Sequence, residues 1–80
     1  MYYLYLLQCR DNSIYTGITN DVAGRFKKHK EGRGGSYTRS HGAKKIIYTE
    51  EYKTKGEALK REMEIKNWRR GQKLLLISKV

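Results

Sequence analysis

The stretch YYLYLLQCRDNSIYTGIT, from Tyr2 to Thr19, decides the fold of this chain because it is typical of a β-hairpin. Tyrosine, leucine and isoleucine dominate both arms, and these residues favour strands. Between the arms, the polar segment Arg10-Asp11-Asn12-Ser13 supplies a turn. The pairing of the two arms then determines which side chains share a face of the sheet.

Two turn geometries are compatible with this hairpin, and they place its tyrosines differently. A two-residue Asp11-Asn12 turn would put Tyr5 and Tyr15 on opposite faces. A three-residue loop that ends at a left-handed Asn12 puts both phenols on one face, with Tyr5 opposite Gly17. We favour the second register because Gly17 leaves space where Tyr5 lies.

The rest of the chain predicts a helix, a third strand and a second helix. Capping by the segment Thr19-Asn20-Asp21 indicates a helix from about Val22 to Glu31, with Val22 and Phe26 inward. Gly32 to Ser36 then predicts a mobile, glycine-rich loop. The β-branched and aromatic residues from Lys45 to Tyr52 indicate a strand. The next helix should run from about Lys55 to Arg69, ending before Gly71, with a short helical segment from Leu74 to Ile77 closing the core.

Length and charge limit the possible functions. Residues 1–80 form one predicted domain, and only 38% of them are hydrophobic, which leaves little beyond a single core. Eighteen lysine and arginine residues against eight acidic ones give a net charge of +10, which favours a polyanionic partner such as nucleic acid. No apolar run approaches the ~20 residues of a membrane span, so no membrane partner is predicted. The lone Cys9 fits a reducing, cytoplasmic location.

Glu62 is the charged residue that helical periodicity singles out. At about 100° per residue, Ala58, Leu59, Ile65 and Trp68 define an apolar stripe, and Glu62 projects near its middle. An inward carboxylate is costly unless it is paired or bound to a cation. Two interpretations stay open: Glu62 forms a salt bridge with a core-facing arginine, or it is a ligand for Mg²⁺.

Arg25 and His29 are four residues apart and share one face of the first predicted helix. Either can be an ordinary solvated side chain, but a guanidinium also binds phosphate oxygens and stabilises charge at phosphorus. Seven tyrosines against one phenylalanine weaken a pure packing role for the aromatic residues. A phenol is a poor base at its normal pKa of about 10, and a nearby arginine or metal would favour its ionised form.

These motifs together resemble the GIY-YIG nuclease domain, and in particular its small stand-alone bacterial members. Tyr3-Leu4-Tyr5 and Tyr15-Thr16-Gly17 stand where the two family triplets belong, with Tyr3 in place of the first glycine. Arg25 and His29 follow at the family's spacing, and Glu57 to Glu62 is similar to the segment that ends in the metal-binding glutamate. The resemblance covers nearly the whole chain.

The resemblance implies an α+β fold with a small three-stranded antiparallel sheet flanked by helices, and hydrolysis of DNA with one divalent metal. Glu62 would hold Mg²⁺ or Mn²⁺, and Arg25 would stabilise the phosphoryl transition state. Tyr5 or Tyr15 would activate water, with His29 positioning or relaying a proton. Larger relatives carry a separate DNA-binding domain that supplies target choice, so a protein partner is an expectation for this chain.

The basic residues predict how nucleic acid would be bound. Binding to the phosphate backbone is expected at four residues outside the tyrosine motifs: Lys27, Lys28, Arg33 and Arg39. The leading hypothesis is an endonuclease acting on DNA, including branched or structured DNA. The alternative is a non-catalytic module that binds DNA or RNA through the same basic fold. A ribosome-associated basic protein is a third interpretation that rests on charge alone.

Overall fold

The computed structural model describes residues 1–78, so that residues 79 and 80 of the predicted 1–80 domain lie outside the described part. Within it, the chain forms a three-stranded sheet and four helices, which confirms the predicted α+β class. In chain order the elements are β1 (Tyr2–Cys9), β2 (Ile14–Thr19), α1 (Val22–Lys30), α2 (Ser36–His41), β3 (Ala43–Tyr52), α3 (Lys55–Lys66) and α4 (Arg70–Ser78).

The sheet is antiparallel with the strand order β2-β1-β3, so that β1 is central. Asn12 has a φ of 69°, and the backbone N–H of Cys9 donates to the carbonyl of Ser13 at 2.9 Å. The hairpin therefore uses the three-residue loop. Tyr5 lies opposite Gly17 in the resulting register, as we predicted.

Helices cover both faces of the sheet, which explains why four consecutive residues of β1 are buried. On one face, Leu4, Leu6 and Ile14 pack with Ile65 of α3 and with partly buried residues of α4. On the other face, the core around Tyr5 packs against Phe26 of α1 and against Tyr15, Leu7, Cys9, Ala43 and Ile46. Alternation along β1 thus sends its tyrosine at position 5 toward α1 and its leucines at 4 and 6 toward α3.

Three predicted boundaries were wrong. The predicted loop from Gly32 to Ser36 ends at Gly35, because an unpredicted helix, α2, begins at Ser36 and buries the side chain of Thr38. The second predicted helix ends at Lys66 instead of Arg69, because the Asn67 side chain donates to the Met63 carbonyl at 3.2 Å. The predicted closing helix, α4, begins at Arg70 instead of Leu74, so Gly71 lies inside it instead of terminating α3.

The capping predictions agree with the structure. Asp21 accepts a hydrogen bond from the backbone N–H of Gly24 at 3.1 Å and thereby begins α1. Thr54 accepts from the backbone N–H of Glu57 at 3.2 Å and begins α3. Each cap satisfies an N–H group that has no partner within its own helix. No helix among residues 1–78 has the length and apolar character needed to cross a membrane.

Candidate active site

Tyr5 and His29 are joined by a buried hydrogen bond between the phenol oxygen and Nε2, 2.8 Å long. The other ring nitrogen of His29, Nδ1, lies 2.6 Å from the hydroxyl oxygen of Thr38. Both Tyr5 and His29 are only 2% exposed. Three side chains from β1, α1 and α2 therefore form one continuous hydrogen-bonded line, here called the relay (Tyr5, His29 and Thr38).

The tautomer of His29 follows from the partners at its two nitrogens. The Thr38 hydroxyl donates to the Gly35 carbonyl, 3.5 Å away, which leaves its oxygen to accept from Nδ1–H. Nε2 is then the unprotonated nitrogen and accepts the phenol proton of Tyr5. Burial, with a smaller effect from the Arg25 charge, lowers the pKa of His29 below its usual value. His29 is accordingly neutral at pH 7 and ready to accept a proton.

A glycine makes room for each ring of the relay. A Cβ atom at Gly17 would lie 2.5 Å from the Tyr5 hydroxyl oxygen and 3.0 Å from a ring carbon of Tyr15. A Cβ atom at Gly34 would come within 2.6 Å of Cγ of His29. These distances are too short for any side chain. Both positions therefore require glycine because a ring packs closely against the backbone, and not because the backbone conformation is one that only glycine adopts.

Tyr15 lies beside the relay without joining its hydrogen bonds. Its ring centroid is 6.2 Å from that of Tyr5 and 5.3 Å from that of His29, with an edge-on orientation to the imidazole. Its hydroxyl has no hydrogen-bond partner among residues 1–78. The two phenols share one face of the sheet, as predicted, but only that of Tyr5 is held by the protein.

The electrostatics of Tyr5 differ from our expectation. Burial raises the pKa of its phenol well above the usual value of about 10, and the neighbouring Tyr15 raises it further. The Arg25 charge lowers the Tyr5 pKa, as expected, but this effect is smaller, and the Glu62 charge opposes it. Tyr5 is therefore a neutral hydrogen-bond donor in the free protein, since desolvation outweighs the nearby cation. These interactions also bring Arg25 and Glu62 within electrostatic reach of the relay.

Glu62 is half-buried on α3, and it forms no ion pair with any residue that the structure describes. The predicted stripe around it is only partly correct: Ala58 and Ile65 are fully buried, whereas Leu59 is 42% exposed. The salt bridge that we considered is not found in the described residues, because the neighbouring Arg61 pairs with Glu50 and Glu64 instead.

The Glu62 carboxylate fits a magnesium ion better than a metal that needs a full set of protein ligands. No group of three or more acidic, histidine or cysteine side chains suited to a metal occurs among residues 1–78. Mg²⁺ usually keeps several water ligands and takes one or two carboxylates together with phosphate oxygens of the substrate. The Glu62 carboxylate, which has no ion-pair partner among residues 1–78, has the oxygen donors that such an ion takes.

The predicted basic residues are not equivalent in the structure. Arg25 and Lys28 line one cleft at the start of α1, and the Arg25 guanidinium forms no ion pair within residues 1–78. Lys27 is exposed on the same helix. Arg39 lines a second cleft, next to His29. Arg33, in contrast, donates to Glu31 at 2.6 Å, so part of its charge is already neutralised.

Three functional candidates were missed from the sequence. Thr38, which holds His29, was hidden because its segment has the composition of a loop. Arg10 and Lys30 line the second cleft together with Arg39, but they come from the hairpin turn and the end of α1. A turn residue and the last residue of a helix carry no periodic signal that relates them, so only the fold could bring them together.

Comparison with known proteins shows the family to which this chain belongs. The model of the GIY-YIG catalytic domain matches residues 1–74. The chain belongs to the GIY-YIG family. This is a nuclease family whose members generally use a divalent metal and act on DNA.

Small bacterial members of the GIY-YIG family resemble this chain over most of their length. A UPF0213 protein of Staphylococcus saprophyticus is 46% identical over 77 residues, covering 96% of this chain and 94% of that protein. A UPF0213 protein of Staphylococcus epidermidis is 46% identical over 76 residues, covering 95% of this chain and 93% of its own. The solution NMR structure of the UPF0213 protein BH0048 from Bacillus halodurans has a TM-score of 0.60 and 43% identity. The superposition covers 98% of this chain and 84% of the BH0048 chain.

Proposed function

We propose that this GIY-YIG protein is a metal-dependent endonuclease that hydrolyses phosphodiester bonds of DNA, and that residues 1–80 form its single domain. The observation that carries the proposal is the 2.8 Å hydrogen bond from the buried Tyr5 phenol to a neutral His29. A buried tyrosine that donates to a neutral histidine, whose two hydrogen-bond partners are both uncharged, is poised to pass on a proton. A merely structural tyrosine does not need that arrangement.

In the proposed reaction, Tyr5 takes a proton from the attacking water while its own proton moves to Nε2 of His29. Thr38 keeps Nδ1 protonated, so that Nε2 is the nitrogen available to accept. The resulting hydroxide attacks phosphorus, a new P–O bond forms and the bond to the leaving oxygen breaks. Arg25 stabilises the negative charge that develops on the phosphate oxygens. The leaving oxygen takes a proton from solvent, and the protonated His29 returns one to solvent.

Glu62 is the residue that would hold the divalent metal, with Mg²⁺ or Mn²⁺ as the proposed ion. A bound divalent cation supplies charge stabilisation for the phosphate as the bond to the leaving oxygen breaks. The absence of an ion-pair partner within residues 1–78 supports this role for Glu62. Lys27, Lys28 and Arg39 would then hold the DNA backbone beside the site. Arg33 is expected to contribute less because it already pairs with Glu31.

The test is cleavage of plasmid, branched and single-stranded DNA with Mg²⁺, with Mn²⁺ and with EDTA. Arg25→Ala and Glu62→Gln should abolish cleavage while leaving the melting temperature close to that of the parent, since neither side chain is in the core. Arg69→Ala and Glu51→Gln are matched controls that remove the same charges from exposed positions elsewhere, and they should cut normally. Cleavage that persists in EDTA, or in Glu62→Gln, would contradict the metal assignment.

A non-catalytic DNA- or RNA-binding module is the alternative, favoured by the net charge of +10. It predicts binding that weakens steeply with salt and no cleavage under any metal condition. If the parent cuts nothing across these substrates, the binding module takes the lead. The proposed cytoplasmic location is supported by Cys9, which is buried and unpaired within the described residues. The proposed protein partner would be revealed by cleavage that appears only when a cell extract is added.

A further inference from the structure

An aromatic path leads from the relay to the protein surface along α2. The ring of Tyr15, beside Tyr5, lies 5.6 Å from that of Tyr37, and Tyr37 stacks on His41 at 4.1 Å with an interplanar angle of 24°. Tyr37 is 38% exposed and the His41 side chain 37% exposed. We call Tyr37 and His41 the outer ring pair.

The outer ring pair does not serve the hydrophobic core. Neither ring belongs to the two clusters that pack on the faces of the sheet. The anchor of α2 is instead Thr38, which is buried and bonded to His29. His41 is also held by a contact between its Nδ1 and the carboxylate of Asp11 in the hairpin turn. A large, fixed and partly exposed aromatic surface thus lies next to the candidate active site.

Positive charge lies across α2 from the outer ring pair. The cleft on the other side of α2 has a volume of about 170 Å³ and is lined by Arg10, Lys30 and Arg39, with His29 and Thr38 in its wall. None of the three cations forms an ion pair with a residue in the described part of the chain, and no acidic residue lines the cleft. Aromatic rings beside unpaired cations are the combination that single-stranded nucleic acids recognise, because rings stack on bases and cations hold phosphates.

We propose that the outer ring pair is a stacking site for an unpaired base of single-stranded DNA, next to the phosphate that the relay would attack. The inference rests on the proposed function, since it names the strand that the same site would take. A paired base is already stacked on its neighbours in a duplex, so only an unpaired one can use these rings. The preferred DNA is therefore a single strand, a flap or a gap instead of a continuous duplex.

The ring-to-ring distances set how far this base lies from the cleaved bond. Two steps, of 6.2 Å from Tyr5 to Tyr15 and 5.6 Å from Tyr15 to Tyr37, separate the relay from the outer ring pair. A stacked strand advances ~3.4 Å per nucleotide, and an unstacked one advances further. The stacked base is thus within a few nucleotides of the attacked phosphate, close enough for one strand to contact both.

Binding measured in EDTA tests this inference without requiring cleavage. Fluorescence anisotropy would compare a labelled 15-nucleotide thymidine strand with a 15-base-pair duplex at two salt concentrations. In Tyr37→Leu, which keeps an apolar side chain but removes the ring, affinity for the single strand should fall about 5- to 150-fold. Affinity for the duplex and the salt dependence should stay unchanged because no phosphate contact is lost. Tyr37→Phe should bind like the parent.

Tyr2→Leu is the matched control. Tyr2 is three positions from Tyr5 on β1, so its side chain lies on the opposite face of the sheet. This variant should leave both affinities unchanged. Equal losses for strand and duplex in Tyr37→Leu, or no loss at all, would overturn the stacking site. If the loss of the Tyr37 ring weakened binding of a uridine RNA strand but not of the DNA strand, the choice of DNA would be overturned.

A measurement on the unaltered protein covers the case in which Tyr37→Leu does not fold. A single strand carrying one 2-aminopurine should lose fluorescence on binding, because stacking on an aromatic ring quenches this base, and the His41 ring protons should shift. Binding without either change would refute the site. A parent that cuts no DNA but shows these changes would reject the nuclease and keep the stacking site. A parent that cuts DNA without them would do the reverse.

Discussion

Replacing Tyr5 with phenylalanine removes one oxygen and keeps the ring, so it isolates the hydrogen bond to His29. In the parent, that oxygen lies 2.8 Å from Nε2 of an imidazole that is 2% exposed. Without the phenol, Nε2 has no partner and water reaches it poorly. Leaving one buried polar group unpaired costs about 1–3 kcal/mol. For a domain of this size, the melting temperature should then fall by about 5 to 20 °C.

Tyr15→Phe provides the comparison, because it removes the same atom from the same sheet face. The Tyr15 hydroxyl has no hydrogen-bond partner within residues 1–78, so its loss should change the melting temperature by no more than a few degrees. Thermal unfolding followed by circular dichroism at pH 7.5 would measure both variants. In cleavage assays, the loss of a general base from Tyr5→Phe should reduce the rate by about 10²- to 10⁴-fold.

Equal melting temperatures for the two variants would refute the reasoning. That result would mean that His29 finds another partner once the phenol is gone, and that the hydrogen bond does not organise the site. A destabilised Tyr5→Phe that still cuts at the parental rate would separate the two claims. The hydrogen bond would then be structural, and the base would have to be sought elsewhere.

Two further predictions follow from the surroundings of His29. Gly34→Ala should displace the imidazole and cost about 1–3 kcal/mol, whereas Gly56→Ala, at a helical position with open space, should stabilise the protein by about 0.5–1 kcal/mol; urea unfolding measures both. Because the pKa of His29 is lowered in the folded state, the unfolded chain binds the proton first as pH falls below about 6.5. The unfolding free energy should therefore decrease as the pH falls from about 6.5 toward the lower pKa that His29 has in the folded protein. His29→Gln should show a smaller decrease over the same pH range. A profile of the parent with no such decrease would contradict the buried, neutral histidine.

The hairpin and the helix caps could be predicted because their determinants are local. Asn12 tolerates the left-handed conformation and Gly17 leaves space for a ring, so the sequence alone favours the observed register. Asp21 and Thr54 precede their helices by one residue and provide the capping oxygens. In each case the interacting groups lie within a few positions, or face each other across one tight turn.

The segment that contains α2 could not be predicted, because its helix depends on distant partners. Its six residues have no side-chain N-cap, and Gly35, with a φ of 135°, precedes them. Isolated helices of this length are not stable in water. What fixes α2 is the bond from Thr38 to His29, together with the contact of Tyr37 with Tyr15, and neither is visible in the local sequence.

The burial of His29 was missed for the same reason. On α1, the pattern of Val22 and Phe26 places His29 at the border of the apolar face, yet it is the buried residue of that helix. A histidine enters the interior when both ring nitrogens find partners, and here they come from β1 and α2. Periodicity reports the polarity of a side chain and cannot report that its polar atoms are satisfied elsewhere in the fold.

The glycines between α1 and α2 illustrate how composition can mislead about function. Such a segment predicts a mobile loop that conforms to a phosphate backbone. In the structure, Gly34 instead provides the close approach that keeps the His29 ring in line with Tyr5 and Thr38. Any larger residue would push the imidazole away from one of its two partners. Gly34 is therefore needed to keep the imidazole in place and not to make the segment flexible. The proposed chemistry depends on this fixed position because a proton passes only between atoms held at hydrogen-bond distance.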